Sequence, residues 1–112
     1  MSPPSSRTAI LQGMLDMLIL QTLAAEPMHG YAVAQQLRFH TSGKLQVPQG
    51  SLYPALHRLE NGGFLKGEWQ DSAVGRPLRS YRLTAKGRRR LEAEVDNWRD
   101  LSATIALVLG TT

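Results

Sequence analysis

Positively charged side chains are the residues of this sequence whose spacing most clearly indicates a chemistry, which is the binding of anions. Residues 51–91 carry nine Lys and Arg against three Asp and Glu, a net charge of +6, whereas residues 1–50 carry +1 and residues 92–112 carry −3. A basic block between a nearly neutral segment and an acidic one favours a polyanionic partner such as nucleic acid. An ordinary solvated basic face is the alternative that composition leaves open.

Catalytic and metal-binding chemistry find little support in the sequence. Ser51 lies in Gln-Gly-Ser-Leu, which lacks the Gly-x-Ser-x-Gly pattern of a nucleophilic serine, and neither a glycine-rich phosphate loop nor a pair of carboxylates occurs. The chain has no Cys, and its three His residues are too far apart for local metal-ligand spacing. We therefore expect no enzyme activity, no metal and no cofactor.

The length of 112 residues, with 42% hydrophobic and 20% charged residues, predicts one compact folded domain. No signal peptide is evident, and the longest apolar run is far shorter than the roughly 20 residues that cross a bilayer. We expect a cytoplasmic protein that does not contact membranes. A Pro- and Ser-rich flexible tail is predicted over residues 1–8, a folded domain over 9–84 and a separate C-terminal helix over 85–112.

Apolar spacing predicts three helices in the first half of the chain. Residues 10–25 carry two neighbouring apolar stripes, which indicate a helix that contacts two partners. Residues 30–40 are predicted to form a second helix. A third begins near Gly50, with Ser51 as its N-cap and Pro54 in the first turn, where a missing N–H removes no helical hydrogen bond. Its buried stripe consists of Leu52, Ala55, Leu56 and Leu59.

The second half of the chain predicts a β-hairpin followed by one long helix. Residues 65–70 alternate in polarity, and a turn-rich segment connects them to a second strand at residues 78–83. Thr84 then caps the last helix. The apolar seam of that helix has coiled-coil spacing and therefore predicts a second copy as its partner; it comprises Leu91, Val95, Trp98, Ser102, Ile105 and Leu109. The fold class is mainly α with a small β-hairpin, a winged helix-turn-helix plus a long C-terminal dimerisation helix.

The exposed face of the third helix and the hairpin turn contain the candidate contacts to double-stranded DNA. The helix presents short polar side chains and a favourable N-terminus for phosphate, and the turn presents arginines to the backbone or minor groove. Strand alternation sends Arg79 and Arg82 to opposite faces, and we select Arg79. Tyr53 has an alternative assignment as a core tyrosine. The predicted DNA contacts are Gln49, Gly50, Ser51, Tyr53, Pro54, His57, Arg58, Arg76 and Arg79.

Four further basic residues crowd the first turns of the last helix, where the helix dipole disfavours positive charge. They indicate either a nearby polyanion or a solvated helix end. These residues are Lys86, Arg88, Arg89 and Arg90.

Several motifs occur in a specific order and spacing: Gly30-Tyr31, the segment 50–60 (Gly-Ser-Leu-Tyr-Pro-Ala-Leu-His-Arg-Leu-Glu), Trp69, Gly75-Arg76, and the segment 81–87 (Tyr-Arg-Leu-Thr-Ala-Lys-Gly). Together they resemble the PadR family of bacterial transcriptional regulators, in particular its small subfamily with a single C-terminal helix. The resemblance implies winged-helix homodimers that mostly repress transcription and release DNA when a small molecule binds.

The resemblance also implies a site for a small planar hydrophobic effector, because the family's Trp on the last helix stacks on flat aromatic ligands. Trp98 occupies the matching position, although it is alternatively a hydrophobic anchor of the dimer without a ligand. The implied effector-binding residues are Ile10, Gly13, Met17, Val95, Trp98 and Ser102.

The sequence departs from the family pattern in the wing, where Pro77-Leu78 and Ser80 replace basic and aromatic residues. The family also implies an earlier start of the third helix, near Val47-Pro48, which would place Pro54 in the helix interior.

These observations predict a homodimeric DNA-binding regulator, a repressor, whose two third helices enter successive major grooves. An effector beside Trp98 is expected to change the angle between the last and first helices and hence the spacing of the two DNA-binding helices. The alternative is a winged-helix module that binds a protein partner and has no sequence-specific DNA binding.

Overall fold

The computed structural model describes residues 4–73 and 75–110, with the side chains of residues 14–73 and 75–110. The described residues form four helices and a three-stranded antiparallel sheet with the order β1-β3-β2. This architecture confirms the mainly α, winged-helix fold. The elements are α1 (Pro4–Ala25), β1 (Met28–His29), α2 (Gly30–His40), α3 (Gln49–Asn61), β2 (Leu65–Gln70), β3 (Leu78–Leu83) and α4 (Ala85–Leu109).

Helix α1 is the central helix of the domain. It begins at Pro4, six residues before the predicted start, so residues 4–8 of the predicted tail lie in the helix; residues 1–3 lie outside the described part. Proline suits a first helical turn because its missing N–H would have no helical partner there. The helix packs against α2, α3, β3 and α4, in agreement with its apolar residues on more than one face. Its buried side chains are Leu15, Ile19, Leu20 and Leu23.

The core lies between α1, α2, α3 and the sheet. Leu52, Leu56 and Leu59 of α3 are almost completely buried, as their spacing predicts. They pack with the apolar residues of α1, with Val33 of α2 and with Tyr81 of β3. This packing fixes the orientation of α3, and its opposite face remains exposed.

Strand β1 was not predicted from the sequence. Its two residues, Met28 and His29, pair with Tyr81 and Ser80 of β3. A strand of two residues is too short to show alternating polarity, and its pairing partner lies about 50 residues away in the chain. The predicted hairpin of β2 and β3 is present, with Leu65 opposite Leu83.

The start of α3 differs from the prediction made from spacing alone. The N-cap is Pro48 and not Ser51, because Pro48 has an extended backbone and its carbonyl accepts from the N–H groups of Ser51 and Leu52 at 3.0 and 2.9 Å. The earlier start near Val47-Pro48 that the family pattern implies is therefore correct. Pro54 then lies inside the helix, where it has no N–H to donate to the carbonyl of Gly50.

The N-terminus of α4 is fixed to the turn between α3 and β2. The Thr84 hydroxyl accepts from the N–H of Gly87 at 3.0 Å, which confirms the predicted cap, and donates to the carbonyl of Gly63 at 2.7 Å. Lys86 and Arg90 both lie over the ring of Phe64, with 4.7 and 4.5 Å to its centroid. The first two turns of α4 therefore pack against the turn between α3 and β2.

The remainder of α4 extends beyond the core. Only Gly87 and Leu91 are buried on this helix, and the apolar side chains further along it are largely exposed, at 42% for Trp98, 52% for Leu101 and 45% for Ile105. No helix within residues 4–73 and 75–110 is long and apolar enough to cross a membrane.

Candidate nucleic-acid interface

The exposed face of α3 is the largest part of the candidate interface. Gln49, Gly50, Pro54 and His57 are exposed, on the face opposite the buried leucines. Ser51 and Tyr53 are half-buried at the border of that face. The structure thus brings the helical residues of the predicted site together on one surface.

Tyr53 is half-buried, at the border between the core and the exposed face of α3. Its ring packs against the core and approaches Gly30 so closely that a Cβ at that position would lie 3.0 Å from the Tyr53 Cε1 atom. The absence of a side chain at Gly30 therefore lets α2 approach α3. Because Tyr53 is only half-buried, its outer edge borders the exposed face of α3.

Negative charge is absent from the chain between Pro27 and Leu59, which spans α2, the connecting loop and most of α3. The same segment contains Arg38, Lys44 and Arg58. The carboxylate of α3 itself, Glu60, lies at the C-terminal end of the helix and is ion-paired. The exposed face of α3 consequently offers no fixed negative charge to an approaching polyanion.

Arg58 lies at the side of α3 that faces α1. Its Nη2 atom donates to Oδ1 of Asp16 at 2.7 Å, and its side chain remains 56% exposed. The sequence predicted Arg58 as a DNA contact but not its pairing with Asp16, because 42 residues separate the two. One guanidinium N–H is thus occupied, and the rest of the side chain is open to solvent.

The arginines of the hairpin have different environments. Arg79 pairs with Glu60 and lies 5.1 Å from the centroid of the Trp69 ring, so its charge is neutralised against α3. Arg82 is on the opposite face, 3.5 Å from Glu68, which confirms the alternation. Arg76 is exposed at the turn and forms no ion pair within the described residues. Of the two hairpin arginines predicted to contact DNA, Arg76 is therefore the one whose charge is unpaired.

Ser72 and Gly75 shape the described part of the wing turn. Gly75 adopts a φ of 84°, a left-handed conformation that favours glycine, and the Ser72 hydroxyl donates to the carbonyl of Arg76. These features hold Arg76 at the tip of the hairpin.

The basic residues at the start of α4 divide into two pairs. Lys86 donates to the carbonyl of Gly62 at 2.7 Å, and Arg90 pairs with Asp16 and Glu94 at 3.3 and 2.7 Å. These two residues stabilise the attachment of α4. Arg88 and Arg89 are exposed and form no ion pair within the described residues.

A groove with a volume of about 630 Å³ lies between α1 and α4, away from the exposed face of α3. Its lining is mixed, with apolar side chains from both helices and polar side chains from α4. The lining residues are Met14, Met17, Glu94, Asn97, Trp98, Asp100, Leu101 and Thr104.

The groove includes part of the predicted effector site. Met17 and Trp98 line it, whereas Val95 packs against the core and Ser102 is exposed outside the lining. The side chains of Ile10 and Gly13 lie outside the described part of the chain. Met14, Glu94 and Leu101 of the lining were not predicted from the sequence. The helical spacing of residues 94, 97, 98, 101 and 104 was the available signal, since these positions share one face of a helix.

Tyr81, on strand β3, is buried in the core at 2% exposure. Burial raises the pKa of its phenol, and the negative charge of Glu60 adds to the rise. No group of three His, Cys, Asp or Glu side chains that could hold a metal ion occurs in the described part of the chain.

Comparison with known proteins gives consistent matches. The profile of the transcriptional regulator PadR-like family matches residues 19–93. The transcriptional regulator Rv3488 of Mycobacterium tuberculosis is 43% identical over 70 residues, which are 62% of each chain.

Solved structures resemble the fold over nearly its whole length. A PadR family transcriptional regulator from Eggerthella lenta is 34% identical, with a TM-score of 0.80 over 96% of this chain and 93% of its own. The transcriptional regulator TA0346 from Thermoplasma acidophilum is 28% identical, with a TM-score of 0.79 over 93% of this chain and 98% of its own. Because the family profile covers most of the sequence and the solved relatives share its fold, the chain belongs to the PadR-like family of transcriptional regulators.

Proposed function

We propose that the protein is a sequence-specific DNA-binding repressor that acts as a homodimer and leaves DNA when a small planar hydrophobic effector binds. The observation that carries the DNA-binding role is the exposed face of α3, which presents Gln49, Gly50, Pro54 and His57 and no carboxylate. Phosphate contacts dominate the affinity for DNA, and fixed negative charge on a reading helix would oppose them.

The dimensions of α3 suit a major groove. Its 13 residues correspond to a length of about 20 Å at 1.5 Å per residue. Side chains from Gln49 to His57 would face base edges, with His57 and Gln49 as hydrogen-bonding groups and Gly50 permitting close approach. Arg58 and Arg76, at the side of α3 and the tip of the wing, would contact phosphates on either side of the groove.

The exposed seam of α4 supports the homodimer. Trp98 and Ile105 of this seam, together with the neighbouring Leu101, form an apolar face that a monomer leaves in water. Pairing with the same face of a second copy would bury it and give a two-fold axis. Two copies of α3 would then read half-sites about 34 Å apart, one turn of B-DNA.

The groove between α1 and α4 supports the effector. Its volume of about 630 Å³ lies within the range of roughly 300–1,000 Å³ that is typical of small-molecule sites. Trp98 offers a flat ring for stacking, and the methionines of α1 offer adaptable apolar contacts. A ligand in the groove contacts α1 and α4 together, so it would couple to the angle between them.

Binding to DNA is tested by fluorescence anisotropy with DNA from upstream of the protein's own gene and unrelated DNA of equal length. Specific binding that falls steeply with salt is expected, because phosphate contacts release counterions. Arg76→Ala is expected to weaken binding and to lower the salt slope by about one unit. Arg82→Ala removes the same charge from the other face of the hairpin and is the matched control. Equal effects of both variants would contradict the proposed contact.

A winged-helix module that binds a protein partner is the second candidate, and the exposed apolar seam of α4 is the observation that favours it. An apolar protein interface depends far less on salt than phosphate contacts do. No binding to either DNA at low salt would therefore contradict the proposed DNA binding and favour this candidate.

Dimerisation and effector binding need separate measurements. Light scattering is expected to give twice the mass of 12.4 kDa. Quenching of Trp98 fluorescence by planar aromatic compounds tests the groove, and Trp69→Phe removes the signal of the other tryptophan, which is 67% exposed on β2. The Trp98→Phe variant reports only on Trp69. If planar compounds quenched its fluorescence as much as that of the wild type, they would bind elsewhere, and the groove would be excluded as the binding site.

A further inference from the structure

Asp16 connects the three helices that matter for the proposed function. It lies on α1, its side chain is only 14% exposed, and each of its oxygens accepts from a different helix. Oδ1 accepts from Arg58 of α3 at 2.7 Å, and Oδ2 accepts from Arg90 of α4 at 3.3 Å. A half-buried carboxylate that holds two arginines is more ordered than an exposed ion pair.

The network continues into the groove. The Nε atom of Arg90 donates to Glu94 at 2.7 Å, and Glu94 is one of the lining residues beside Trp98. The guanidinium of Arg90 also lies over Phe64 at 4.5 Å, which limits its movement. A chain of charged contacts therefore runs from the groove through Arg90 and Asp16 to Arg58.

The contact leaves Arg58 able to bind DNA. Asp16 takes one N–H of Nη2, the side chain remains 56% exposed, and no other hydrogen bond of its guanidinium occurs within the described residues. A guanidinium has five N–H donors, so four remain for phosphate oxygens. Fixing a long side chain before binding reduces the entropy that binding costs.

We propose that Asp16 is a positioning residue for DNA recognition, which holds Arg58 in its phosphate-binding orientation and links that orientation to Glu94 in the groove. The inference rests on the proposed DNA-binding function and assigns a role to a residue outside the predicted interface. Asp16 acts through Arg58 and contacts no DNA itself.

A purely electrostatic role of Asp16 and a positioning role predict different results for Asp16→Asn. If Asp16 contributed only its negative charge, the variant would bind specific and unrelated DNA more tightly by the same factor. A positioning residue instead affects mainly the specific complex, because phosphate contacts fix the single register of that complex, whereas binding to unrelated DNA samples many registers. The ratio of specific to unrelated affinity is therefore expected to fall about fivefold. Partial unfolding lowers both affinities equally, so the ratio is insensitive to it. Asp96→Asn, an exposed change on α4 with the same change in charge, is the matched control.

A double-mutant cycle tests the route through Arg58. In an Arg58→Ala background, Asp16→Asn is expected to leave the ratio unchanged, because the group that it positions is gone. Asp16→Glu, which keeps the carboxylate, is expected to recover part of the loss. A ratio that falls as far in the Arg58→Ala background as in the wild type would overturn the proposal.

A second cycle tests the link to the groove. Glu94→Gln leaves Arg90 without its α4 partner and free to compete with Arg58 for Asp16, so the ratio is expected to fall about twofold. This effect is expected to vanish with Asp16→Asn. Glu92→Gln, exposed on the same helix, is the control.

The outcomes separate this inference from the proposed function. Specific DNA binding by the wild type together with an unchanged ratio for Asp16→Asn overturns the role of Asp16 alone. No specific binding by the wild type overturns both.

Discussion

Gly87, in the first turn of α4, is the position where one methyl group is expected to do most damage to the fold. A Cβ at this position would overlap the carbonyl oxygen of Phe64 and would lie 2.8 Å from Leu83 Cδ1 and 3.0 Å from the Phe64 carbonyl carbon. The nearest neighbours include main-chain atoms, which cannot rotate away as a side chain can. The same Phe64 carbonyl accepts from the N–H of Thr84 at 3.2 Å, so a shift that relieves the overlap also disturbs this bond.

The expected cost of Gly87→Ala follows from three contributions. Overpacking a tight site costs about 1–3 kcal/mol, and the disturbed hydrogen bond costs about 1 kcal/mol. Alanine is favoured over glycine inside a helix by about 0.5–1 kcal/mol, which offsets part of the cost. We therefore expect the free energy of unfolding to fall by about 1–3.5 kcal/mol.

Urea unfolding followed by circular dichroism measures this loss. Gly50→Ala is the matched control, because Gly50 also lies near the start of a helix, but a methyl group there would have no neighbouring atom within 4 Å. It is expected to be neutral or slightly stabilising. If Gly87→Ala were as stable as the wild type, the close approach of α4 to the Phe64 turn would be refuted.

Three further outcomes are expected. Gly50→Ala, although folded, is expected to weaken specific DNA binding about tenfold in anisotropy titrations, because a methyl group would stand where base edges approach. Ile105→Glu is expected to convert the dimer to monomer in light scattering, since it would bury a charge in the proposed seam. The pKa of Tyr81 is raised by burial, so its unfolded form loses the phenol proton first, and stability is expected to fall as pH rises above about 10. Tyr81→Phe is expected to remove that part of the alkaline loss in pH-dependent urea unfolding.

Local sequence patterns were sufficient to predict most of the fold. The spacing of leucines in α3, the alternation in β2 and the cap at Thr84 each depend on neighbours in the chain, and each is confirmed. Family membership likewise confirms the predicted regulator class and the expectation that the chain is not an enzyme. The prediction of Ser51 as the N-cap of α3 was wrong. The actual N-cap, Pro48, has no side chain that can accept a hydrogen bond, so the residue types that usually mark a helix start do not reveal it.

Contacts between residues far apart in the chain could not be predicted from the sequence. The Asp16–Arg58 pair and the Arg79–Glu60 pair form between side chains 42 and 19 residues apart, and charge alone does not determine which partners meet. The composition of the groove was missed for the same reason, because it depends on how α1 and α4 cross. The predicted DNA and effector contacts remain predictions.

Pro54 leaves one main-chain carbonyl of α3 without its helical hydrogen bond. Because it has no N–H, the carbonyl of Gly50 is not consumed by the helical i to i−4 bond, and Gly50 is exposed. That oxygen therefore lacks its helical N–H partner, and a hydrogen bond to it must come from outside the regular helix. Alanine substitutions elsewhere in the proposed DNA-binding helix would leave the Gly50 carbonyl without a helical partner. Alanine at Pro54 would restore the missing hydrogen bond. A residue whose replacement strengthens a helix can therefore be one that recognition depends on.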